Sequence, residues 1–278
     1  MSDLKNDISW QQIFAKHNII ERVLRDGHVL INATDINVFR EARLMTKFDH
    51  KSQLPKLFSE NNLSILPISR GSYIIADLET FHNFEENEEV DIKKADFPNY
   101  LESLDYKNIT SESTAINCAF VAGILHDFTG ETLLIPTISG RMSSLCFAFN
   151  INSSSKVPRR IDVENSQIEI DGGYEGNEAL NLIEAKNYIS NDFLVRQIYY
   201  PYRLWAGKIR KPINSIFLTY TNGIFHLRQY EFTELGNYNS LVLHKQNKYT
   251  VREGALNIET IQKILNQIVI VPEPEIAF

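Results

Sequence analysis

Asp171, Glu184 and Lys186 are the residues of this 278-residue chain whose types and spacing can do chemistry together. Asp171 ends the run QIEID, and Glu184-Ala185-Lys186 closes the run ALNLIEAK thirteen positions further on. Both runs read as β-strands. Residues two apart on a strand share a face, so Glu184 and Lys186 point one way while Ile183 and Ala185 point the other, into a core. If the strands are neighbours joined through residues 172–177, Asp171 approaches Glu184, and two carboxylates meet one ammonium. That trio suits magnesium-dependent phosphodiester hydrolysis. Mg²⁺ takes about six oxygen ligands and keeps several waters, so Asp171, Glu184, the main-chain carbonyl of Ala185 and a scissile phosphate can complete its shell. Mn²⁺ can substitute. Lys186 adds positive charge beside the attacking water and the phosphate. Alternating Glu and Lys also occurs on solvated sheet faces, so the surrounding elements decide between the two.

Asp171 followed by Glu184-Ala185-Lys186 resembles the PD-(D/E)XK motif of restriction-endonuclease-like nucleases, over about residues 108–230. Ile170 stands at the motif's proline position, which is loosely kept in that superfamily. The resemblance implies an α/β (α+β) fold with a mixed sheet flanked by helices. It also implies that Asp171, Glu184 and the Ala185 carbonyl hold metal, that Lys186 positions and activates water, and that the preceding helix offers a further acid at Glu112. On the following helix, Gln197 or Arg196 would touch the phosphate. Exonuclease-like relatives carry Tyr four residues after this Gln. Here Pro201 stands there, favouring the restriction branch.

The implied activity is Mg²⁺-dependent, sequence-specific cleavage of double-stranded DNA of the type II restriction kind, leaving 5′-phosphate ends. A palindromic target would call for a homodimer. Two other readings stay open: a DNA repair or junction-resolving nuclease, and a winged-helix DNA-binding regulator with an inactive nuclease-like domain.

The elements that must position these residues fall into two expected domains, 1–95 and 96–278. In the first, an amphipathic helix is expected over 9–24, from Trp10, Ile13, Phe14, His17, Ile20 and Leu24 at helical spacing. Helices over 36–46 and 52–61 and the strands LSILPIS and SYIIAD around Arg70-Gly71 follow in the chain order of a winged helix. Residues 84–96, with Glu85, Glu86, Glu88, Glu89 and Asp91, read as an acidic linker. In the second domain a helix is expected over 108–126, capped by Thr110 or Ser111, then strands at TLLIPTI and LCFAFNI with a turn at 140–144. After the Asp171 and Glu184 strands come a helix over 192–205 bent by Pro201, a hairpin around Asn222-Gly223, and a helix over 258–268.

Net charge is 28 − 35 = −7, so any nucleic-acid surface must be local. Two basic runs qualify. One carries Arg40, Arg43, Lys47, Lys51 and Lys56 against Glu41 and Asp49; the other carries Arg196, Arg203, Lys208, Arg210 and Lys211 without an acid. Arg141 is placed to read a guanine edge. Cys118 and Cys146 sit in apolar settings and read as buried free thiols. No apolar run reaches the ~20 residues of a membrane helix, and neither a targeting segment nor a nucleotide-binding loop is visible. A cytoplasmic protein without a membrane or nucleotide partner is expected.

Overall fold

The computed structural model describes residues 2–85 and 90–254. The chain begins with α1 (Ser2–His17) and α2 (Ile19–Asp26), then β1 (His28–Asn32), α3 (Ala33–Asn37), α4 (Ala42–Met45), a 3₁₀ turn (Lys51–Gln53) and α5 (Lys56–Glu60). Strands β2 (Ser64–Ser69), β3 (Ser72–Ala76), β4 (Phe81–Asn83) and β5 (Ile92–Pro98) follow. Next come α6 (Glu112–Val121), α7 (Ile124–Thr129), β6 (Ile135–Ser143), β7 (Cys146–Ile151), β8 (Arg159–Glu164), β9 (Gln167–Glu175), β10 (Leu180–Lys186) and β11 (Asp192–Leu194). Helix α8 (Arg196–Ala206), β12 (Ile213–Thr221), β13 (Ile224–Phe232) and β14 (Leu241–Gly254) complete it. The fold is therefore mixed α+β.

A seven-stranded sheet runs β5-β14-β13-β12-β10-β9-β6. Within it α6 precedes the antiparallel run β6-β9-β10, and α8 crosses over from β10 to the parallel strand β12. Helices α6 and α7 cover one face, burying Ala115, Ile116 and Phe128 with Ile183, Ala185, Ile216 and Leu218. Helix α8 covers the other, where Ile198 and Leu204 meet Ile168, Ile170, Leu180 and Leu182. Strand β10 is thus buried along its whole length, as a central strand with parallel pairing should be. A five-stranded sheet, β1-β3-β2-β8-β7, joins the N-terminal strands to later ones, and its Leu66 and Ile161 share the α8 core. A third core gathers Trp10, Ile13, Phe14, Phe58 and Met45 under α1.

Several elements differ from expectation. The single helix over 9–24 is broken at Asn18, which adopts φ 47°; Trp10, Ile13 and Phe14 are buried, but Leu24 faces solvent. In place of two longer helices over 36–46 and 52–61 the chain makes α3, α4, the 3₁₀ turn and α5. The Asn37 side chain accepts the Ala42 N–H and Pro55 starts α5, each interrupting a continuous ladder. Residues 92–98, of which 92–96 read as linker, form edge strand β5, whose backbone pairs in parallel with β14 while Lys93 and Lys94 stay exposed. Gly123, at φ 74°, splits the expected 108–126 helix into α6 and α7, and Ser111 is the cap, accepting the Thr114 N–H. Residues 192–194 are strand, not helix, and 140–143 lie within β6 instead of a turn. Cys118 is buried as expected, whereas Cys146 is exposed. The Asn222-Gly223 hairpin forms as expected, with both residues at positive φ. The helix expected over 258–268 lies outside the described residues.

Candidate active site

Strands β9 and β10 pair antiparallel only as far as Ile183 opposite Gly172. Beyond that point the Asp171 side chain takes over from the ladder, its Oδ2 accepting the Ala185 N–H at 2.9 Å. Asp171 is expected to approach Glu184; the contact it makes on β10 is with the backbone of the next residue, Ala185. Glu184 and Lys186 share a face and form an ion pair, Nζ to Oε1, at 2.6 Å. They are not on a hydrated surface, being 8% and 7% exposed. Glu112, in the first turn of α6, reaches Lys186 Nζ at 3.6 Å. From α8, Gln197 donates Nε2 to Glu184 Oε1 at 2.7 Å and to Asp49 Oδ1 at 3.1 Å.

Four carboxylates thus surround one ammonium, and their electrostatics follow from burial. Burial pushes the Glu184 carboxyl up to about 8 against the pull of Lys186, with Asp171 and Asp49 adding to the rise. Asp171 is raised by burial, opposed by the Ala185 N–H and Lys186. Glu112 is raised by burial too, opposed chiefly by Lys186. For Lys186 burial works against the charge, but Glu184, Asp49 and Glu112 outweigh it and hold the ammonium well above the ordinary lysine range.

The cluster forms the floor of a cleft of about 660 Å³ between the N-terminal elements and the seven-stranded sheet. Arg43, Lys47, Arg70, Arg141 and Arg196 line its walls, together with Glu41 and Glu169. Glu169 lies 3.7 Å from Lys47 and 3.3 Å from Arg141, tying two of these cations together. Arg196 donates to the Gln167 carbonyl and stacks over Tyr200. Of the expected DNA-binding residues, Arg43, Lys47, Arg141 and Arg196 converge here; Arg40, Lys51 and Arg203 do not line the cleft. Arg40 donates to Asn6, and the Lys51 backbone binds Asp192. Arg203 is committed to Ala148 O, Leu235 O and the Tyr199 hydroxyl.

Asp49 is the residue sequence reasoning missed. Its only signal is being one of two acids in an otherwise basic run, and its partner Gln197 stands 148 positions away. The Asp49 N–H donates to Gln53, its carbonyl accepts from Leu194 N, and its second carboxylate oxygen accepts the Tyr188 hydroxyl at 3.4 Å.

The donor set suits a hard cation, being all oxygen, with carboxyls raised by burial and, less, by neighbouring carboxylates. Among the described residues no three His, Cys, Asp or Glu side chains are spaced to hold an ion unaided. Asp171 and Glu184 would therefore hold it with oxygens drawn from main chain, water and substrate. No helix among the described residues is long and apolar enough to cross a membrane.

Fold and site together define an α+β protein with an acid–lysine cluster at the floor of a cation-walled cleft. Residues 76–250 match the family model described as Domain of unknown function (DUF6997), more than half of the chain, and the chain belongs to that family. Residues 7–75 match a second, Domain of unknown function (DUF6996). No curated protein and no solved structure matches the chain.

Proposed function

We propose that this protein is a magnesium-dependent endonuclease acting on double-stranded DNA, of the restriction type and resembling PD-(D/E)XK enzymes. The observation that carries the reading is the convergence of Asp171, Glu184 and Lys186 on adjoining strands, at the floor of a cleft walled by Arg43, Lys47, Arg70, Arg141 and Arg196. Further support comes from the connectivity: helix, three antiparallel strands, crossover helix, parallel strand. The N-terminal elements, with the β2–β3 hairpin, form the opposite wall and take the expected winged-helix-like role of contributing DNA affinity or specificity.

Mg²⁺ held by Asp171 and Glu184 would polarise the scissile phosphate and acidify a bound water. The chain's own residues supply the rest. Lys186 places a fixed positive charge where negative charge builds on the phosphate and steadies a hydroxide-like nucleophile. Arg43, Lys47, Arg141 and Arg196 neutralise backbone phosphates along the cleft. A palindromic target would bring two copies together so that each cuts one strand.

The test is digestion of a phage genome or mixed-sequence plasmid with the purified protein and Mg²⁺, followed by sequencing of the ends. Discrete ends with 5′-phosphates are expected. Cutting should stop with chelator, return with Mn²⁺, and fail in Ca²⁺, which is larger and acidifies water less, although Ca²⁺ supports DNA binding. Undiminished cutting in excess chelator removes Asp171 and Glu184 from a metal-ligand role. Cleavage confined to branched substrates moves the protein to the junction-resolving class, and DNA binding without any cleavage moves it to the regulators.

A further inference from the structure

The Gln197 side chain has two N–H donors, and both are used by carboxylates, one from Asp49 and one from Glu184. Asp49 Oδ1 and Glu184 Oε1, the latter already accepting the Lys186 ammonium, flank this nitrogen, so the donor end of the amide lies between two acceptors. In this orientation Gln197 has no donor left for a phosphate, and its Oε1 is buried without a protein partner. Glu184 Oε1 is also occupied twice, by Lys186 Nζ and Gln197 Nε2.

Asp49 is itself held from both sides of its backbone, by Gln53 and Leu194, so its carboxylate arrives at Gln197 already ordered. The segment carrying it is tied to β11 by further bonds. His50 Nδ1 lies 3.2 Å from the Asp192 carbonyl, and the Asp192 carboxylate accepts the Lys51 N–H. A side chain serving only to dock one part of the molecule on another would not need to meet the amide that also grips Glu184.

Building on the nuclease reading, we propose that Asp49 is a positioning residue of this site: it holds the Gln197 amide across to Glu184, fixing which oxygen of Glu184 the protein engages and which faces the cleft. The N-terminal segment thereby completes a site whose other members all come from the seven-stranded sheet and its helices. Gln197 acts on Glu184 and not as a phosphate donor.

The experiment compares Asp49→Ala, Asp49→Asn, Gln197→Ala and the Asp49→Ala/Gln197→Ala double variant, in cleavage kinetics and in ¹⁵N spectra of the full chain. Asp49→Ala should lower kcat about 10- to 100-fold with KM for DNA unchanged, the size expected when a group in the site is misplaced. Asp49→Asn keeps an oxygen acceptor at the same place and should recover most of that loss. The double variant should be no worse than Gln197→Ala alone, the non-additivity of two residues acting as one unit. Tyr188→Phe removes only the other side-chain contact of Asp49 and should cut at the wild-type rate.

Additive losses, an Asn variant as poor as the Ala variant, or a wild-type rate in Asp49→Ala each overturn the proposal. The spectra decide independently of cleavage. The Gln197 side-chain amide, identified by its disappearance in Gln197→Ala, should shift and lose exchange protection in Asp49→Ala and stay in place in Asp49→Asn. An amide unmoved in Asp49→Ala refutes the linkage. If wild-type protein cuts no DNA, the nuclease reading falls while the amide still decides on Asp49.

Discussion

Lys186 sits where a lysine is costly, inside a sheet covered on both faces, and is kept charged because Glu184, Asp49 and Glu112 surround it. Removing one member of such a buried pair costs about 3–5 kcal/mol, because the remaining charge is left without compensation. Lys186→Ala is therefore expected to abolish cleavage and also to destabilise the fold, in a pH-dependent way. The Glu184 carboxyl, raised to about 8 by burial even with Lys186 beside it, is raised further once the ammonium is gone. A group raised in the folded state contributes stability that is complete below its unfolded value, near 4.3, and lost as pH rises through the folded value. The gap in melting temperature to wild type should stay nearly even from about pH 5 to about 8 and widen above that, where Glu184 ionises in the wild type but keeps its proton in the variant. A gap that does not widen between about pH 8 and 9 would show that Glu184 does not hold the proton. The sequence displays Asp171, Glu184 and Lys186 because strand alternation places them. It does not display the burial of Lys186, since that depends on α6 and α8 covering both faces of β10, nor the arrival of Asp49, which no local period encodes.

The turn between β9 and β10 sets the register that brings Asp171 beside Ala185, and a buried carboxylate far from the cluster organises it. Glu131, 8% exposed, accepts the N–H groups of Asn177, Glu178 and Ala179. Gly176 lets it come close, since a Cβ there would collide with the Glu131 carboxyl. Glu131→Ala strands these donors and should cost about 2–4 kcal/mol in urea unfolding. Gly176→Ala should be destabilising in the same direction. In hydrogen exchange the amides of residues 177–179 should lose protection in Glu131→Ala; unchanged protection there would mean another group holds the turn. Strand β9, whose alternation marks one buried face, and the apolar runs of β12 and β13 were legible in the sequence, as was the Asn222-Gly223 turn. Strands β5, β8 and β14 were not, because their charged residues mimic loops and linkers; β5 is in addition held by pairing to β14, far away in sequence. The two short helices around Gly123 look like one because apolar spacing continues through a residue that only its backbone angle betrays.

Across the whole molecule, positive side chains from separate parts of the chain meet over one cleft, although the net charge is negative. Reversing charge at Arg43 and Lys47 should weaken DNA binding and flatten the dependence of log affinity on log salt by about two, roughly one released counterion per lost phosphate contact. Affinity titrations at several salt concentrations, beside a melting curve, check this. An unchanged slope with unchanged affinity would show that this wall does not touch DNA. The two family matches meet between residues 75 and 76, at the end of β3, yet the sheet containing β3 continues through β2 into β8. Near that seam the Thr80 carbonyl receives the Val195 N–H, and β4 pairs with β11. The junction is therefore a boundary in sequence without being a boundary in matter. A gene that exchanged its first 75 codons for those of a distant cousin would have to import an acid at position 49 that fits the resident glutamine at 197. The two stretches are consequently expected to be inherited and to diverge as a single unit.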